Sequence, residues 1–259
     1  MSNPILLLPP VVNVLVTGLF AGVVLRQYVR RQRVYQLYWS IALCMAFVAT
    51  LAYVFMLVVQ PTSAAGTLLF RAYYIFGAAL MPSWLGLGSL ALIARPGFTR
   101  VCALALSVCS VLAAILILIA NIDVQKLGQI AGTPGTGILQ TGPWLIATIT
   151  LNTLGVVAIG GVAIYSGWKL LRRHASVAGF RPGSLLWANV LIMAGALLNA
   201  AAGSFARFLG VENTFWLIMA VGWIVFFSGV LLTSRRRSTV PPEKTRRDLE
   251  DAEKQLASS

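Results

Sequence analysis

The sequence predicts an all-α integral membrane protein, a seven-transmembrane-helix bundle with its N-terminus outside and its C-terminus in the cytoplasm. Three observations predict it. Hydrophobic residues make up 58% of the 259-residue chain and charged residues only 10%, a composition from which no water-exposed surface of an ordinary soluble domain can be built. Seven continuously apolar stretches are each long enough to cross hydrocarbon as a helix, which takes roughly 20 residues. The basic residues fall almost entirely at one end of these stretches, where the positive-inside rule places the cytoplasm.

The first stretch, about residues 5 to 26, opens on Pro9 and Pro10, tolerated in a first helical turn whose amide donors are unpaired anyway. It lacks a basic leading region and is followed by Arg26 rather than a small-residue cleavage site, so it reads as a membrane span and not as a signal peptide. Gly18 and Gly22 have GxxxG spacing, which serves bundle packing or a homodimer. The second stretch covers about 37 to 59 and the third about 68 to 94. Pro82, within "GAALMPSWLGLGSL", predicts a kink that frees a carbonyl one turn earlier. The fourth covers about 101 to 120, and then comes the one long loop, about 121 to 142. Its Thr133-Pro134-Gly135 centre reads as a turn, giving either a hairpin cap over the outer face or a flexible linker. The fifth stretch, about 143 to 168, starts at Pro143; the sixth and seventh cover about 184 to 207 and 214 to 234. Residues 1–237 thus form the transmembrane domain and 238–259 a charged cytoplasmic tail. In the tail, Glu243 with Arg247 and Glu250 with Lys254 have helical four-residue spacing, which suits a solvated helix or docking to a cytoplasmic partner.

Charge placement orients the chain. Arg26, Arg30, Arg31 and Arg33 follow the first span, Arg95 and Arg100 the third, Lys169, Arg172, Arg173 and Arg181 the fifth, and Arg235, Arg236 and Arg237 the seventh. Only Arg71, Lys126 and Arg207 lie toward the other side. The net charge of +13 is therefore a product of topology, and it implies no nucleic acid. The partners expected are the lipid bilayer and anionic headgroups at the inner face. The localisation expected is a cell membrane of the bacterial inner-membrane type.

A repeat is visible beneath the spans. "LYWSIALCMA" (37–46) aligns with "LLWANVLIMA" (185–194), pairing Trp39 with Trp187 and Met45 with Met193. Asn13 aligns with Asn152, Gly22 with Gly161, Arg30 with Lys169 and Trp84 with Trp223. On this reading, residues 1–98 and 143–237 are parallel triplets joined by the fourth span; chance identity between apolar segments is the competing account. The plan is similar in topology to the three-plus-one-plus-three arrangement of sugar-facilitator and PQ-loop proteins, although the Pro-Gln pair that marks those families is missing from both triplets. Such a resemblance implies a substrate held between the halves near mid-membrane.

Several chemistries are argued against by residues the spans lack. They contain no carboxylate, which removes the usual intramembrane proton relay. His174, the single histidine, cannot by itself supply paired haem ligands or a zinc site. Microbial rhodopsins share the topology, but their chromophore needs a lysine in the last helix and residues 214–234 have none. Cys44, Cys102 and Cys109 lie within spans and read as small packing residues rather than disulfides or ligands. The expectation is a non-enzymatic protein without cofactor or metal.

What remains is neutral polarity and aromatic rings. Asn13, Asn152, Asn189 and Asn199 must each face another helix, water or a ligand, because an unpaired amide in hydrocarbon costs several kcal/mol. If Asn13 and Asn152 are equivalent, they face one another and frame a small cavity that Tyr53, Tyr73, Tyr74, Trp84 and Trp223 line; rings of these types also gather at membrane interfaces regardless of function. Arg71 and Arg207, at the outer ends of the third and sixth spans, have Asp123 and Glu212 as the available acidic partners, lipid phosphate as the alternative, and an anionic ligand as the sharper reading. Two function classes follow: binding or facilitated transport of a small ligand, and a sensor, assembly or scaffold subunit acting through its cytoplasmic face.

Overall fold

The computed structural model describes residues 7–172, 182–210, 212 and 214–234. The tail, His174, Arg173, Arg181 and the Arg235–Arg237 cluster lie outside the described residues. Within them the chain is a multi-pass bundle with seven helices long and apolar enough to cross a membrane.

Helix α1 (Leu8–Arg31) carries its prolines in the first turn and ends with Gln32 in the left-handed region at φ 50°. It runs a turn beyond the expected end because Arg30 and Arg31 remain helical; long basic side chains can reach the headgroups from a helical backbone. Helix α2 (Val34–Val58) follows after a two-residue connection. The third span, Ala64–Leu90, is composite. It begins as α3 (Ala64–Tyr73), capped by the Ser63 hydroxyl accepting from Gly66 N at 2.9 Å, widens into a π-helical segment at Tyr74–Leu80, and resumes as α4 (Met81–Leu90). The widening is the local response to Pro82: the ring removes a donor and crowds the preceding turn, and the longer-range π pattern re-pairs the backbone there. The expected kink is thus realised as a change of helical pitch.

Helices α5 (Pro96–Ile119), α7 (Pro143–Arg172), α8 (Pro182–Phe208) and α9 (Phe215–Ser234) supply the other four spans. A short α6 (Val124–Gly128) sits in the α5–α7 loop, its first amides held by the Asp123 carboxylate. Around the bundle, α1 packs on α2, α2 on the third span, α4 on α7, α7 on α8, α8 on α9, and α9 back on α1. Helix α5 leans on the outside of the third span and α7, and Val101, Leu104, Val108, Val111 and Leu112 along it are exposed, the mark of a lipid-facing surface.

Two seams are set by glycines. Gly86 of α4 and Gly155 of α7 cross so closely that a Cβ at Gly155 would lie 2.3 Å from the Pro82 carbonyl oxygen. Along α8 and α9, Gly195 abuts the Phe226 backbone, Gly222 abuts Asn199, and Gly229 abuts Ile192. Without a hydrophobic drive between helices in lipid, such backbone approach is a main source of association. Of the GxxxG pair in α1, Gly18 meets Phe47 of α2, whereas Gly22 has open space before it.

Candidate ligand cavity

Since α8 is welded to α9 while α7 is welded to α4, a cavity of about 480 Å³ is left between them, walled also by α2 and the π segment. That volume falls within the range of small-molecule sites, about 300–1,000 Å³. From α7, Trp144, Thr148, Asn152 and Ile159 line it; the first three recur every fourth residue and share one helical face. From α8 come Ala196, Asn199, Ala200, Gly203 and Arg207, whose mostly small side chains leave the space open. Helix α9 adds Phe215, Trp216, Met219, Trp223 and Phe226.

The lining is apolar but not dry in its chemistry. Thr148 Oγ1, Asn152 Oδ1, Asn199 Oδ1 and Trp223 Nε1 are buried and have no hydrogen-bond partner within the protein. Thr148 and Trp223 are only 6% and 1% exposed. Each such group costs about 1–3 kcal/mol when left unpaired. Asn199 Oδ1 lies against Gly222 at the α8–α9 seam.

One end of the cavity is roofed by the α5–α7 loop, with Pro134 and Thr136 among the lining residues. An antiparallel bridge between Ile122 and Leu139 closes the loop at its base, and Leu127, Ile130, Ile138 and Leu139 bury beneath it. Rings below then hold its carbonyls. Tyr53 Oη donates to Thr133 O at 2.7 Å and Ile130 O at 3.0 Å, Tyr74 Oη to Gly135 O at 3.0 Å, Tyr73 Oη to Pro134 O at 3.4 Å, and Trp216 Nε1 to Thr133 O at 3.3 Å. The four rings pack on one another, Tyr53 on Trp216 at 4.4 Å between centroids, Tyr53 on Tyr73 at 5.2 Å and Tyr73 on Tyr74 at 5.6 Å. The chain at Gly135, at φ 74°, also leaves no room for a side chain, since a Cβ would meet Ile130 at 2.8 Å. The loop is therefore a fastened cap rather than a linker.

At the same end, Thr136 Oγ1 donates to the Glu212 carboxylate, joining the roof to the α8–α9 connection. Burial pushes the Glu212 carboxyl above the usual range, against the lowering effect of a nearby threonine hydroxyl. Arg207 stacks over the Trp144 ring at 5.6 Å.

Six of the eleven residues expected to frame a site do line the cavity: Tyr73, Tyr74, Asn152, Asn199, Arg207 and Trp223. The others have different positions. Asn13 is fully buried and its Nδ2 donates to Pro9 O and Trp216 O, both at 2.9 Å, so it ties α1 to α9 instead of facing Asn152. Tyr53 stands behind the wall as a fastener of the roof. Trp84 turns its Nε1 to Ser110 Oγ of α5 at 3.1 Å, and Asn189 bonds Ser166 across α8 and α7 at 3.2 Å. Arg71 caps α5 by donating to Ile117 O and Leu118 O. The acidic partners expected for the two arginines are otherwise engaged: Asp123 caps α6 and sits 3.7 Å from Lys126, and Glu212 takes Thr136. Arg71 is held by carbonyls and Arg207 rests over a ring, and neither forms an ion pair with a carboxylate among the described residues.

Thr136, Trp144, Thr148 and Trp216 belong to the site without having been singled out from sequence. A signal for two of them exists, because Trp144 and Thr148 continue the four-residue spacing that leads to Asn152. Comparison with protein-family models, curated proteins and solved structures returned no match to this chain.

Proposed function

We propose that this chain is a non-enzymatic membrane protein that binds a small ligand inside the bilayer, to hold it or to carry it across by facilitated transport. The observation that supports this reading is that four residues lining one 480 Å³ cavity, Thr148, Asn152, Asn199 and Trp223, each carry a buried polar atom without a partner in the protein. Each costs stability that a ligand with matching donors and acceptors returns. The roofed end faces outward in this reading, following the distribution of Lys and Arg in a bacterial inner membrane.

Native mass spectrometry of the gently extracted full chain tests it. The expected result is a reproducible small-molecule adduct, lost in the double variant Thr148→Val with Asn152→Leu while the protein stays folded. A protein that is free of adduct, and whose melting temperature is unmoved by extracts of its own membrane, overturns it, because a bound ligand raises apparent stability by mass action.

A further inference from the structure

The cavity is not closed on all sides. Val157 of α7 and Phe208 of α8 both line it, yet they are 64% and 73% exposed on the bundle surface. Ile149, Thr153, Gly203 and Ser204 likewise line it while exposed. The cavity therefore opens sideways, through a slot between α7 and α8, at a depth where the surroundings are lipid. Toward the adjacent water, Pro134 and Thr136 of the roof cover it.

The slot has a polarity gradient. Arg207, beside the roof, is paired with no carboxylate among the described residues; it rests on the Trp144 face. Thr148 and Asn152 follow about 6 Å and 12 Å further along α7, at about 1.5 Å per residue. From Asn152 to Ile159 the wall is apolar apart from Thr153, with Val156 and Val157 facing the space. A cation at the interface, neutral hydrogen-bonding groups one to two turns down and an apolar channel beneath reproduce in mirror image the order of groups in a phospholipid: anionic head, ester linkages, acyl chain. The unpaired Thr148 hydroxyl can donate to an ester carbonyl, and the guanidinium pairs with phosphate oxygens. Glu212, the acid nearest the roof, is tied to Thr136, which occupies one of its oxygens.

We infer that the ligand is an anionic phospholipid, taken from the leaflet at the roofed end through the α7–α8 slot, with its phosphate at Arg207 and one acyl chain in the cavity. This rests on the cavity reading above and specifies its occupant.

The test uses the delipidated full chain in detergent. Palmitoyl-oleoyl phosphatidylglycerol, phosphatidylcholine with the same chains, and inorganic phosphate are each titrated, with native mass spectrometry and melting temperature as readouts. Phosphatidylglycerol should bind about fivefold more tightly than phosphatidylcholine, the preference one basic residue confers at a membrane surface. Arg207→Gln should abolish that preference, and Lys126→Gln, outside the cavity, should leave it. Gly203→Leu, at a glycine with open space before it, should remove the retained lipid without harm to folding; Ala200→Leu is the second filling variant. Three results overturn the inference. If the filling variants remove lipid but no headgroup preference exists, or Arg207→Gln leaves it intact, the anionic assignment fails and the cavity reading survives. If inorganic phosphate stabilises the protein as much as phosphatidylglycerol does, the ligand is soluble. If neither filling variant changes lipid retention, the lipid is on the outer surface, and the cavity reading fails with the inference.

Discussion

Tyr53 donates its phenolic hydrogen to the carbonyl of Thr133, 80 residues further along the chain, at 2.7 Å. Trp216 donates to the same oxygen at 3.3 Å, so one backbone carbonyl of the loop gathers the second span, the seventh span and the roof. The roof is held by its backbone, and its position depends on aromatic donors that the loop itself does not contain.

Removing the Tyr53 hydroxyl should loosen the roof before it unfolds the bundle. Tyr53→Phe removes the single hydrogen shared between two carbonyls that stay buried, a loss of about 0.5–1.5 kcal/mol. Limited proteolysis should then cut within residues 121–142 faster than in the parent. Tyr73→Phe, whose bond is the long one at 3.4 Å, should have the smaller effect.

The glycine seams should separate from the open glycines. Gly155→Ala places a methyl 2.3 Å from the Pro82 carbonyl and should destabilise by about 1–3 kcal/mol or more through forced separation of α4 and α7. Gly22→Ala meets nothing within 4 Å and should be neutral or stabilising by up to about 1 kcal/mol through helix propensity. Melting temperatures in one detergent make the comparison.

Thr148→Val is nearly isosteric and removes an unpaired hydroxyl. It should raise the stability of the ligand-free protein by about 1 kcal/mol or more while weakening ligand binding. A drop in ligand-free melting temperature would show that the hydroxyl is paired inside the protein after all.

Stability should fall as pH rises through the Glu212 transition. Its carboxyl is raised above 4.5 in the folded protein, so between the unfolded and folded values the folded state holds more protons, and unfolding becomes easier as they are lost. The extra stability is complete below the unfolded value and gone above the folded one. Glu212→Gln should flatten this part of a melting-temperature profile taken from acid to neutral pH.

The number of spans was legible because hydropathy alone decides it, and their ends moved only where physical detail intervenes, as at α1, which continues through Arg30 and Arg31 to Arg31. The lining of the cavity was half legible. Asn152 and Asn199 declared themselves as amides in apolar helices, but nothing in their spacing told that Asn13, equally polar, would spend its donors on the Pro9 and Trp216 carbonyls. Partner choice is a tertiary property. The roof was hardest to read because its acceptors are main-chain oxygens, which look alike at every position of a sequence. Arg71 misled for the same reason: it found the frayed carbonyls ending α5 rather than an acid.

The π segment at Tyr74–Leu80 acts as a phase adjuster between two sites that make unrelated demands on one helix. Tyr73 and Tyr74 must turn toward the roof, while Gly86 must turn toward Gly155. Each residue of an ordinary helix advances the azimuth by about 100°, and accommodating one more residue in a wider turn shifts everything after it by roughly that amount. Winding the same seven residues as an ordinary helix would swing Gly86 away from its partner, whereas deleting a single residue there, such as Ala78, would let the helix regularise with Gly86 left close to its present azimuth. The roof and the seam each tolerate one azimuth, and the irregular stretch between them is what lets a single span satisfy both.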